Sequence, residues 1–154
     1  RFTFFSKAAL ETLTSLFWAP DVMICNDWQT ALVPILLKKQ YQKEEFYSNM
    51  KSVYLIHSVN NYRKFSRETY DFVGVSPEVK GSIIDNHIQA MENADLIIAV
   101  NYESSNLMTN LKKQKKLYQI FEQTDHLVID IPKKTDRDLW KNAAYTIETA
   151  CRTL

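Results

Sequence analysis

Asp21-Val22-Met23-Ile24-Cys25-Asn26-Asp27-Trp28-Gln29-Thr30-Ala31-Leu32-Val33-Pro34 reads as a strand, a polar turn and a helix. Residues 22–25 form an unbroken apolar run, the pattern of a strand covered on both faces within a parallel sheet. Asn26 and Asp27 break that run. Either can cap the following helix by accepting a hydrogen bond from its free N–H groups. Polar groups just past the C-terminal end of a parallel strand also stand where open α/β sheets bind ligands. Asp27 is therefore open to two readings, helix cap or site residue.

The same alternation extends outward from this stretch. Residues 2–17 place Phe5, Ala8, Ala9, Leu13 and Leu16 at helical spacing, and Ala19-Pro20 ends that helix. The helix after the turn is expected over 28–41, with Ala31, Leu32, Ile35 and Leu36 on its apolar face and Lys38 and Lys39 complementing its dipole. Pro34 is expected past the first turn, where it would bend the helix. After a charged connection, residues 52–57 carry the apolar run Val53-Tyr54-Leu55-Ile56, followed by His57 and Ser58. A second polar pair thus stands just past a strand. Residues 59–77 mix Asn60, Tyr62, Arg63 and Tyr70 with Phe65 and Phe72, and read as a long loop or lid with one helical turn. A helix over 78–93, a strand over 96–100, a long helix over 102–122, a strand over 127–131, a turn over 132–138 and a helix over 138–154 complete the chain. Lys112, Lys113, Lys115 and Lys116 read as a solvated face rather than a nucleic-acid surface. The alternation predicts one α/β domain over 1–154, a doubly wound, mainly parallel, Rossmann-like sheet.

Composition excludes several function classes. A chain of 154 residues can bury a core, and 45% hydrophobic with 24% charged residues is a globular balance. The net charge of +1 gives no strong field for nucleic acid, membrane or acidic substrates. Cys25 and Cys151 form no CxxC, which argues against a disulfide framework or a metal site and fits a reducing, cytoplasmic setting. No apolar run approaches the roughly 18 residues of a membrane span, and no signal peptide is visible. The chain opens at Arg1 inside an apparent helix and reads as a piece of a longer protein. Its glycines, Gly74 and Gly81, are isolated, whereas a phosphate-cradling loop needs clustered glycines after a strand. A nucleotide phosphate grip must come from elsewhere.

Arg1-Phe2-Thr3-Phe4-Phe5-Ser6-Lys7-Ala8-Ala9-Leu10-Glu11, Pro20-Asp21 and Cys25-Asn26-Asp27-Trp28-Gln29-Thr30-Ala31-Leu32-Val33-Pro34 closely resemble bacterial and plastid glycogen/starch synthases. The likeness continues through Phe46-Tyr47, Lys51-Ser52-Val53 and Ile56-His57. It weakens in the loop and returns faintly at Ala94-Asp95-Leu96-Ile97-Ile98-Ala99-Val100. That family comprises retaining, ADP-glucose-dependent glucosyltransferases with two Rossmann-like lobes, the GT-B architecture. The resemblance implies part of the N-terminal lobe, which faces the α-glucan acceptor, with ADP-glucose as donor substrate and no further cofactor. A second Rossmann lobe or partner chain would grip the nucleotide sugar. By resemblance Asp27 and His57 line the cleft near the transferred glucose as catalytic residues. Asn26, Asn60 and Tyr62 are substrate-binding candidates from their place beside them. A carboxylate and an imidazole can hydrogen-bond sugar hydroxyls and orient the donor.

The sequence departs from the family pattern at several positions. A histidine two residues before the N/H-D-W segment is replaced by Ile24. The H-N-L-x-Y-Q-G motif becomes His57-Ser58-Val59-Asn60-Asn61-Tyr62-Arg63, with the glycine gone and the tyrosine shifted by one. The L-K-x-G-I helix becomes His87-Ile88-Gln89-Ala90-Met91, and V-S-P becomes Val100-Asn101-Tyr102. The K-x-G-G phosphate loop is expected upstream of Arg1. Three readings follow: a piece of a working glucosyltransferase, inactive alone; a non-catalytic relative that binds glucan or protein; or a Rossmann-like fold whose resemblance is historical only, such as a nucleotide or protein-interaction module. Trp28 reads as a packing residue, His87 and His126 as structural or solvent-facing, and Cys25 as a small buried hydrophobe.

Overall fold

The computed structural model describes residues 1–133 and 137–154. In chain order it contains α1 (Phe2–Ser15), β1 (Val22–Asn26), α2 (Leu32–Lys39), 3₁₀ turns at Tyr41–Lys43 and Glu45–Tyr47, then β2 (Lys51–Ile56). A 3₁₀ turn at Asn61–Arg63 leads to β3 (Lys64–Ser66), α3 (Arg67–Phe72), β4 (Ile83–Asp85) and α4 (Asn86–Asn93). The chain continues through β5 (Leu96–Tyr102), α5 (Leu107–Lys112), α6 (Lys115–Gln123), β6 (His126–Ile131) and α7 (Arg137–Arg152).

The main sheet has the order β1-β2-β5-β6, and every neighbouring pair is parallel. Helices cover both faces, as the α/β pattern predicts. Side chains alternate across each strand, so one apolar run serves two cores. Tyr54, Ile56, Ile97 and Ala99 face the core beneath α1, α2, α4, α5 and α6. Val53, Ile98, Val100, Ile129 and Ile131 face the other side, against Ala143, Ile147 and Cys151 of α7. Antiparallel β3 and β4 form a separate small ribbon.

Burial on both faces therefore holds for β2 and β5 but not for β1. That strand lies at the sheet edge; Cys25 is buried while Ile24 is 54% exposed. The helix expected over 28–41 begins only at Leu32, with no side-chain cap. Pro34 is thus its third residue, where the N–H has no helical partner to lose, and the expected bend has no cause. The segment read as a long loop with one helical turn holds β3, whose three residues are too short to register as a period, and the short α3. The helix expected over 78–93 is confined to its second half. Gly81 at φ +120° and the pairing of Ile83–Asp85 with β3 precede it, and the Asp85 side chain caps it by accepting from the His87 N–H. The helix expected over 102–122 is two. Tyr102 belongs to β5, and Gln114 separates α5 from α6. Leu107 and Leu111 would lie about 80° around a continuous helix from Leu117 and Phe121. The break lets both pairs bury. The four lysines around it are exposed, as expected. Residues 134–136 of the turn expected over 132–138 lie outside the described residues.

Candidate functional site

The register of β1 on β2 brings the two polar segments together. Asn26 pairs with Leu55, and the Asp27 N–H continues the ladder by donating to the Leu55 carbonyl at 2.8 Å. Asp27 then leaves the strand at φ +58°. Asp is one of the few residue types that visit this left-handed region, at a cost. The twist turns its carboxylate inward: the side chain is 2% exposed. It does not cap α2; its backbone carbonyl accepts from the Thr30 N–H. Of the two readings of Asp27, the cap is removed.

Three side chains converge on that carboxylate. Ser58 Oγ donates to Oδ2 at 2.6 Å, and His57 Nδ1 lies 3.3 Å from the same oxygen. His87 Nε2 faces Oδ1 across 3.8 Å. With Nδ1–H turned to a carboxylate, the second nitrogen of His57 remains free. His57, with a 36% exposed side chain, lines a cleft of about 640 Å³ together with Asn26, Thr30, Phe2, Phe5 and Arg1. A buried carboxylate holding a half-exposed imidazole at a cleft can set the ring tautomer and present one nitrogen to a ligand hydroxyl.

The loop after His57 is tied to the same carboxylate. Asn60 Nδ2 donates to Ser58 Oγ at 2.9 Å, and Asn60 Oδ1 accepts from the Tyr62 N–H at 2.9 Å. Asn60 thus acts on the loop and reaches Asp27 through Ser58. The Tyr62 ring is 74% exposed and stacks on Trp28, with centroids 5.9 Å apart. Trp28 meets Phe2 and Phe65 edge-on, which fits its reading as a packing residue. Asn26, Asp27, His57, Asn60 and Tyr62 all fall in this one region.

Sequence reasoning missed two residues of the site. Arg63 is only 3% exposed; its guanidinium bonds Asp85, Gln114 and the Asn60 carbonyl, fixing the loop to the starts of α4 and α6. His87, read as structural or solvent-facing, is fully buried against Tyr54, whose hydroxyl lies 2.6 Å from Nδ1. Burial pushes the His87 imidazole down to about 4, with the Asp27 carboxylate pulling the other way. Burial likewise holds the Tyr54 phenol well above its ordinary value, so it remains a donor. His126 begins β6, exposed, with its ring 4.2 Å from that of Phe121. Cys25 is buried as expected, its thiol pushed up to about 12. No group of three or more metal-ligating side chains occurs among the described residues.

A family model of the starch synthase catalytic domain matches residues 1–130. The chain belongs to that family. The glycogen synthase of Clostridium perfringens is 44% identical over 81 residues, which is 53% of this chain and 16% of that protein. The glycogen synthase of Chlorobium chlorochromatii is 48% identical over 64 residues, 42% of this chain and 13% of that protein. The chain thus spans about a sixth of the length of such relatives. The catalytic domain of starch synthase IV from Arabidopsis thaliana, solved with ADP and acarbose bound, aligns with a TM-score of 0.59 at 21% identity, covering 90% of this chain and 30% of that one. That likeness establishes a shared fold. No helix among the described residues is long and apolar enough to cross a membrane.

Proposed function

We propose that this chain works as part of the acceptor-facing lobe of an ADP-glucose-dependent α-1,4-glucan synthase. The carrying observation is the Asp27–His57 contact at the mouth of the cleft, with Asn26 beside it. The buried Asp27 side chain holds His57 with Nδ1–H inward and Nε2 toward the cleft. Nε2 then meets a hydroxyl of the glucose being transferred, and the fixed ring orients the sugar without reorganising during reaction. Asn26 adds an amide able to donate and accept, matched to sugar hydroxyls. Charge on the departing ADP is met by groups of a second lobe.

Incorporation of glucose from ADP-glucose into glycogen by the full-length protein tests this. Asp27→Asn keeps the shape and tolerates the left-handed backbone, yet removes the charge that orders His57. We expect a loss of about 10²-fold or more in kcat for it and for His57→Ala. Full activity in both variants would remove the assignment.

A second reading, a non-catalytic glucan-binding relative, is favoured by the exposed Tyr62 ring on Trp28, a flat apolar face of the kind sugars stack on. An inactive wild type that still binds maltooligosaccharide, with Tyr62→Ala weakening the titration, would favour it.

A further inference from the structure

Two buried polar atoms near the cleft lack a hydrogen-bond partner: Asp27 Oδ1 and His87 Nε2. They face each other across 3.8 Å, longer than a hydrogen bond. Both residues are at most 1% exposed, so solvent does not satisfy either atom in bulk fashion. An unmet buried donor and an unmet buried acceptor this close are each other's natural partner, because leaving both open costs the desolvation of each.

Hydrogen-bond logic fixes what His87 offers. Tyr54 is fully buried, and its hydroxyl proton finds His87 Nδ1 at 2.6 Å. A tyrosine hydroxyl that donates there makes Nδ1 the acceptor, so the proton of the neutral ring sits on Nε2. That N–H faces the Asp27 carboxylate across 3.8 Å, with the Ser58 backbone carbonyl as the other acceptor beside it. An approach of about 1 Å would bring the two atoms to hydrogen-bond length.

We propose that His87 is a positioning residue for the Asp27–His57 pair, with Tyr54 as its own anchor. The polar line runs from Tyr54 on β2 through His87 on α4 to Asp27 after β1, and ends at His57 in the cleft. Its effect is to spread the charge of Asp27 over two sides, so that the carboxylate keeps one orientation and one hold on His57. The groups facing His87 are Asp27, Arg63, His57 and the Ser58 carbonyl; those facing Tyr54 are Asp27, Asp85, Cys25 and Tyr70. None but Asp27 offers an anion to Nε2, since Asp85 is engaged by Arg63.

Any consequence for glucosyl transfer rests on the function proposed above; the coupling between His87 and His57 does not. The test is ¹⁵N and ¹H NMR of the histidines through a pH titration of the full-length protein. In wild type, His87 is expected as the neutral Nε2–H tautomer and His57 as Nδ1–H. Removing the donor leaves more negative charge on the Asp27 oxygens, so the His57 midpoint should rise by about half a pH unit or more in His87→Phe. His87→Gln, which can restore an N–H, should bring it back toward wild type. Tyr54→Phe deletes one oxygen and spares the fold; it should release the His87 tautomer and move His57 the same way. If the His87 variants fail to fold, Tyr54→Phe alone decides. An unmoved His57 midpoint together with an unchanged His87 tautomer in Tyr54→Phe overturns the proposal, as does an unmoved midpoint in folded His87→Phe. Inactive wild-type protein with the NMR coupling intact would overturn the synthase reading while leaving this one standing.

Discussion

At the scale of single residues, His87 should govern acid stability. Its imidazole is fully buried and falls from the ordinary 6.5 to about 4, chiefly through burial. The unfolded chain therefore takes the proton first as pH falls, and folding stability is lost through the window from 6.5 down to about 4. This one group should cost about 2 kcal/mol between pH 7 and pH 5. Urea unfolding at the two pH values should show that loss in wild type and a much smaller one in His87→Phe; equal slopes would place the titration elsewhere. Residue chemistry was only partly legible beforehand. Asp27 and His57 each follow an apolar run, so their place at adjacent strand ends could be read once the sheet was parallel. His87 could not, because its facing depends on where α4 starts. Ile83-Ile84-Asp85 continues an apparent helix in sequence but pairs as a strand in space.

Secondary-structure elements are held by local rules that the pattern records unevenly. Two helices here end in the same Schellman closure, with very different residues at its left-handed position. In α3 the Gly74 N–H reaches the Asp71 carbonyl and the Val75 N–H reaches that of Tyr70, with Gly74 at φ +75°. In α1 the Phe17 N–H reaches Thr14 and the Trp18 N–H reaches Leu13, with Phe17 at φ +50°. A glycine tolerates this backbone, while a residue with a Cβ is strained by about 1–2 kcal/mol. The Phe17 side chain is 93% exposed and recovers little by packing. Phe17→Gly should thus raise stability by about 0.5–1 kcal/mol. Gly74→Ala should lower it by about 1–2 kcal/mol, since its Cβ would also meet Gln40 Nε2 at 3.0 Å. Chemical denaturation of both variants checks the pair; shifts of the same sign would mean that backbone strain does not decide. The end of α1 was legible from Ala19-Pro20, whereas α3 was legible only as one unplaced helical turn inside an apparent loop, because a six-residue helix carries less than two turns of period.

For the molecule as a whole, the proposed division of labour between recognising sugar and holding phosphate would set what this chain can bind. The sheet ends, the Asp27–His57 pair and the Tyr62 face provide hydroxyl-matching groups and an apolar stacking surface. A diphosphate asks for something else: converging backbone N–H groups, or cations placed around its oxygens. The described residues lining the His57 cleft include one cation, Arg1, and neither glycine. Net charge of +1 adds no general attraction for an anion. Nor is α2 a substitute, since its first turn starts beyond Asp27, an anion that would repel phosphate. A chain with these features should bind ADP with a Kd of about 1 mM or weaker, near −4 kcal/mol. Calorimetric titration of the 154-residue polypeptide with ADP measures this directly. A Kd below about 10 μM, retained when Arg1 is replaced by Gln, would place a phosphate grip inside this lobe and remove the reason for assigning that task to a second one.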